Sequence, residues 1–108
     1  MNPSEIILEL QELTATNKKG VEALYEAETH LAGMELDLDK TEASAFISAT
    51  GSIAERTAVA KLASAEARFQ RDLAKAQVNR VRTKLRTIES AIMAQATMSK
   101  LLQAEMKL

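Results

Sequence analysis

The fold of this chain is decided by seven residues, Ala49-Thr50-Gly51-Ser52-Ile53-Ala54-Glu55, which lie between two long helical stretches. Gly51 can adopt the left-handed backbone conformation that ends a helix, because it has no Cβ atom. Ser52 and Glu55 have the spacing of a capping box, in which each side chain accepts a hydrogen bond from the other residue's backbone N–H. A helix end followed at once by a helix start predicts a reversal, so we expect an antiparallel helical hairpin with its turn at residues 50–52.

The first arm of the hairpin, residues 3–49, repeats its seam positions at alternating steps of four and three residues, which is the heptad pattern of a coiled coil. The series is Ile6, Leu10, Leu13, Asn17, Gly20, Leu24, Ala27, Leu31, Met34, Leu38, Thr41, Ala45 and Ser48. Asn17 and Gly20 are weak seam positions, and Lys18 and Lys19 between them suit a helix C-terminus. Two interpretations stay open, a continuous helix with a polar seam position or a break at residues 17–20.

The second arm, residues 53–107, contains no proline or glycine and is expected to be a single helix. Its apolar residues form two faces. The bulky face consists of Val59, Leu62, Phe69 and Leu73. The other face is alanine-rich at first and consists of Ile53, Ala60, Ala67, Ala74, Val78, Val81, Leu85, Ile88, Ile92 and Leu102. A helix with two apolar faces needs two neighbours, although a drift in supercoil phase near residues 74–78 would produce a similar pattern.

These patterns predict an all-α protein, a single domain over residues 1–108 that forms a long, coiled-coil-like antiparallel helical hairpin. Two helices cover only one stripe of each other, so we expect a homodimer that completes a four-helix bundle. The predicted self-association seam consists of Leu24, Leu31, Leu38, Leu62, Phe69, Val81, Leu85, Ile88 and Ile92.

The net charge of −1 hides a division between the arms. Residues 1–50 carry ten acids and three bases, whereas residues 51–108 carry five acids and eleven bases. The arms should therefore attract each other, and most of the basic side chains should face acids. The basic residues left over form a candidate patch for an anionic partner, made of Lys18, Lys19, Arg80, Arg82, Lys84 and Arg86. Nucleic acid is one such partner, bound through its phosphates.

The sequence offers no site for catalysis, a metal or a cofactor. There is no cysteine, and His30, the single histidine, has Ala27 where a Glu-x-x-His metal motif needs a glutamate. Thr50 and Ser52 have no histidine nearby to activate them. We therefore predict that the protein is not an enzyme and binds no metal or cofactor. The absence of a signal peptide and of a long apolar run predicts a cytoplasmic protein that does not bind a membrane.

The turn and the residues after it, Ala49-Thr50-Gly51-Ser52-Ile53-Ala54-Glu55-Arg56-Thr57-Ala58, resemble a stretch found in small helical proteins of tailed bacteriophages. The resemblance covers about residues 42–100 and includes a charged, alanine-rich second helix. It implies a phage-encoded accessory protein that acts in the host cytoplasm, and it brings no catalytic residues with it.

The sequence therefore predicts a non-enzymatic interaction protein, a phage-type accessory factor, adaptor or inhibitor that dimerises through its heptad seams and binds a partner protein. The alternative is an accessory protein that binds nucleic acid through the basic patch on the second helix.

Overall fold

The computed structural model describes residues 2–107, which form three α-helices and no strand within that range. Helix α1 spans Pro3–Ser48, α2 spans Ile53–Ala63, and α3 spans Ala65–Lys107. The prediction of an all-helical protein is confirmed. Helix α1 continues through residues 17–20 without a break. The chain packs as two compact units, unit 1 with residues 2–24 and 80–107 and unit 2 with Tyr25–Asn79.

The chain reverses in unit 2, between α1 and α2. Gly51 has φ of +106°, in the region that side-chain-bearing residues rarely adopt. Ser52 caps α2, because its Oγ accepts a hydrogen bond from the Glu55 backbone N–H at 3.2 Å. The Glu55 carboxylate accepts from the Ser52 hydroxyl at 3.2 Å. The Glu55 carboxylate therefore accepts from the Ser52 hydroxyl, whereas the sequence pattern predicts that it accepts from the Ser52 backbone N–H.

Arg56 ties the two helices together across this turn. Its Nε donates a hydrogen bond to the Phe46 carbonyl at 3.2 Å, and its guanidinium carbon lies 4.4 Å from the centre of the Phe46 ring. Phe46 belongs to the last turn of α1, where carbonyls have no donor within the helix. One side chain thus satisfies a helix-end carbonyl and makes a cation–π contact.

The core of unit 2 is narrow because α2 and α3 turn their small residues toward α1. Ala60, Ala74 and Val78 are buried, as are Ala27 and Leu38 on α1. Small side chains let two helices approach closely but bury little area each. The alanine-rich face is therefore the one that packs inside the chain.

Ser64 interrupts the second arm, which we expected to be one helix over residues 53–107. It lies on the buried seam with no exposed surface, and its backbone departs from the helix at φ −96° and ψ 5°. Its hydroxyl donates to the Lys61 carbonyl at 3.3 Å and accepts from Arg68 Nη2 at 3.0 Å. A serine hydroxyl that bonds a carbonyl one turn back distorts a helix without any proline or glycine.

Unit 1 is also an antiparallel helix pair. Gly20 on α1 faces Leu85 on α3, where an added Cβ would lie 2.5 Å from the Leu85 Cδ2 atom. Further along, Gln95 Nε2 donates a hydrogen bond to the Glu9 carboxylate. A hairpin folded symmetrically about Gly51 would place Gly20 opposite residue 82, so the observed register is shifted by about one helical turn.

Leu38 and Leu36 provide a matched test of the seam, because Leu38 is 6% exposed and Leu36 is 53% exposed on the same helix. We expect Leu38→Ala to lower the free energy of unfolding by about 2–5 kcal/mol, through lost burial and a cavity. Leu36→Ala should change it by about 0.5 kcal/mol or less. Chemical denaturation followed by circular dichroism measures both, and equal losses would contradict this assignment of faces.

Arg56→Ala should lower the free energy of unfolding by about 1–2 kcal/mol, because the Phe46 carbonyl loses its donor and the ring its cation. Arg56→Lys should recover only part of this loss, since an ammonium lacks the planar guanidinium. Lys61→Ala, at an exposed position on the same helix, is the control and should have little effect. Denaturation midpoints in which Arg56→Lys matches wild type would show that charge alone matters there.

Candidate interaction surfaces

The structure divides the predicted self-association seam into two groups. Leu38 and Leu85 are buried within the chain. The half-buried members are Leu24, Leu31, Val81, Ile88 and Ile92. Leu62 and Phe69, in contrast, are 81% and 56% exposed. Most of the predicted seam therefore packs between the helices of one chain, and only Leu62 and Phe69 are largely available to a second molecule.

The two exposed members belong to a row of exposed apolar side chains on unit 2, which we call the outer stripe: Val59, Leu62, Phe69 and Leu73. Its residues follow one another at steps of three, seven and four, which keeps them on one helical face. That face lies nearly opposite the buried seam of Ala60, Ser64 and Ala74. The outer stripe is the bulky face of the sequence pattern, and the single chain leaves it in contact with solvent.

Unit 1 exposes apolar side chains on both of its helices. On α1, Ile7 is exposed and lines a shallow open groove with Leu10 and Thr14. On α3, Met93, Leu101 and Met106 are exposed near the C-terminal end. Methionine side chains are flexible and suit contacts with partners of varied shape.

The six residues of the basic patch all belong to unit 1 and are all exposed. The helical period nevertheless divides those on α3 between two sides, with Arg82 and Arg86 on one and Arg80 and Lys84 on the other. Lys18 and Lys19 on α1 also point about 100° apart. The patch is therefore two short clusters rather than one continuous row of positive charge.

Other polar groups give no sign of a chemical site within residues 2–107. No cluster of three or more histidine, aspartate or glutamate side chains there could hold a metal ion, and His30 is exposed. Asn17 Oδ1 and Gln95 Oε1, both on the seam of unit 1, are buried without a protein hydrogen-bond partner. None of the helices over the same residues has the length and apolar character needed to cross a membrane.

Two structural residues escaped the sequence patterns, Arg56 and Ser64. Arg56 could have been identified from its position, since it follows the capping residue Glu55 and lies ten residues after Phe46, on the other side of the chain reversal. Ser64 could have been identified from its heptad spacing, because steps of four and three from Ala60 to Ala67 place its hydroxyl on a buried seam.

Comparison of the chain with protein-family models, with curated proteins and with solved structures gives no match.

Proposed function

We propose that this chain is a non-enzymatic interaction protein that self-associates and binds a partner protein. The observation that carries this proposal is the outer stripe, a row of bulky apolar side chains on one helical face of which Leu62 and Phe69 are the most exposed. The largest exposed apolar patch on a soluble chain is often a functional contact surface. The apolar side chains of unit 1 offer a second, separate surface for a partner protein.

Self-association as a dimer, with the helices of two chains forming a four-helix bundle, follows from the narrow seam. Alanine and serine fill much of the contact between α1 and the second arm in unit 2, so one chain buries little apolar area. A second chain would cover the face that the first leaves exposed.

The setting we propose is that of a phage-type accessory factor, adaptor or inhibitor acting in the host cytoplasm. Its support is the resemblance of residues 49–58 to small helical phage proteins. The exposed end of α3, with Met93, Leu101 and Met106, is where we place the contact with a partner protein. Flexible methionines are common on surfaces that bind helical or apolar segments of other proteins.

Light scattering on the purified chain tests self-association. We expect a mass of at least twice that of one chain at tens of micromolar, with dissociation on dilution. Because apolar burial drives the contact, the dimer should persist at high salt. A single-chain mass throughout this range would contradict the proposal.

Binding of nucleic acid through the basic patch is the second candidate function. The observation that favours it is that Lys18, Lys19, Arg80, Arg82, Lys84 and Arg86 are all exposed in the same unit. Contacts from these residues would be to phosphates, because the three aromatic residues of the chain, Tyr25, Phe46 and Phe69, are too few and too scattered for a stacking platform.

The affinity for DNA should depend on salt concentration to an extent set by the number of phosphates contacted. Binding to random-sequence DNA should weaken by about ten- to fortyfold between 50 and 200 mM salt if one cluster neutralises two or three phosphates. Arg82→Glu with Lys84→Glu should abolish it, whereas Lys61→Glu with Lys75→Glu in unit 2 should have a smaller effect. Undetectable binding at low salt, measured by fluorescence anisotropy, excludes this candidate.

A further inference from the structure

We propose that the outer stripe binds the outer stripe of a second copy of this chain, in antiparallel orientation across a two-fold axis. This inference rests on the proposed self-association and specifies its surface, its occupant and its direction. The two-fold axis would pass between Glu66 and Phe69, so that Leu62 of each copy packs against Leu73 of the other.

The first argument is the charge around the stripe. The residues beside it are small or uncharged, and Ala58, Ala63, Ala65, Gln70 and Ala76 make up most of them. Apart from Glu66, two copies of such a surface can approach without like charges facing one another. The two Glu66 side chains would lie beside the two-fold axis, each opposite Phe69 of the other copy. Glu66, the one acid within the stripe, already accepts a hydrogen bond from Gln70 Nε2 at 3.0 Å.

The second argument is the charge on the opposite helix of unit 2. Within residues 25–48, α1 carries the acids Glu26, Glu28, Glu35, Asp37, Asp39 and Glu42, against Lys40 as the single base. This helix repels a copy of itself. Because the outer stripe lies nearly opposite the seam that holds α1, contact between two stripes leaves the acidic α1 segments of unit 2 on the outside, far apart.

The third argument is area. The four side chains of the stripe are between 48% and 81% exposed, which leaves on the order of 400 Å² of apolar surface on each copy. Contact between two stripes and their alanine flanks would bury about 1,000 Å² in total, which is the lower size limit of specific protein interfaces. The small flanking side chains also allow the close helix approach that tight packing needs.

The direction of the pairing follows from the spacing of the stripe. In an antiparallel pair about this axis, Leu62 of one copy lies opposite Leu73 of the other. Val59 of one copy then lies opposite Ala76 of the other. A parallel pair would instead place Glu66 level with Glu66 and Asp72 level with Asp72, whereas the antiparallel pair staggers the two Glu66 by three residues and places Asp72 opposite Ala63. Antiparallel pairing is therefore favoured because it separates the two Asp72 carboxylates, while either direction pairs leucines at both ends of the contact.

The test compares two double variants that add the same charge. Leu62→Lys with Phe69→Lys changes the outer stripe, and Met93→Lys with Leu101→Lys changes equally exposed apolar positions in unit 1. All four positions are exposed in the single chain, so helical content by circular dichroism should be unchanged. Sedimentation velocity should show the stripe variant dissociating at on the order of a hundredfold higher concentration than wild type, with the unit 1 variant behaving as wild type.

Cysteine cross-linking tests the direction, since the chain has no cysteine of its own. A mixture of Leu62→Cys and Leu73→Cys chains should form a disulfide between the two variants, because antiparallel pairing brings these positions together. Thr29→Cys, exposed on α1, is the control and should not cross-link. Cross-linking of Leu62→Cys chains to one another in preference to the mixed product would overturn the antiparallel arrangement.

The outcomes separate this inference from the proposal beneath it. A stripe variant that stays dimeric, or a unit 1 variant that dissociates equally, overturns the stripe as the dimer surface and leaves self-association intact. If the stripe variant instead loses a different protein while remaining dimeric, the stripe belongs to that partner and the inference is again wrong. If the wild-type chain is monomeric at all concentrations up to tens of micromolar, the proposal of self-association is itself wrong.

Discussion

Close packing of small side chains between α1 and the second arm is the constraint on which the rest of unit 2 depends. Ala60, Ser64 and Ala74 are at most 3% exposed, so the two helices meet through residues that hold little apolar area. The close approach of the two backbones offsets part of this small apolar burial, because it adds many weak van der Waals contacts. The bulky residues of the second arm in unit 2 point away from this contact, and one chain leaves them exposed. The same choice of face therefore sets both how much apolar area the chain buries and which side chains it leaves exposed.

Polar groups on the seam have different effects in the two units. In unit 2, Ser64 is fully buried and has its hydroxyl engaged on both sides, by Lys61 and by Arg68, at the cost of a regular helix. In unit 1, Asn17 and Gln95 each bury an oxygen that no protein group satisfies. A polar seam position lowers stability but fixes the alignment of the helices, because any shifted register would bury it in a worse environment.

Charge and apolar surface act at different places in this molecule. The basic clusters lie in unit 1, while the outer stripe and the acidic part of α1 lie in unit 2. Exposed apolar side chains favour burial, whereas a row of acids repels other acidic surfaces. Exposed single charges contribute little to stability, so the charge division between the arms adds little to the stability of the fold.

The sequence by itself determined the helical class, the reversal at Gly51 and the seam positions of α1. Each of these depends on local chemistry: a glycine at positive φ, a serine cap and an apolar period of seven. Only the tertiary structure decided which face of the second arm packs inside, because both faces are apolar and their period is the same. It also decided the distortion at Ser64, the contact of Arg56 with Phe46 and the shifted register near Gly20. Those features depend on residues that meet across the helix pair, and no local pattern specifies how closely two helices approach.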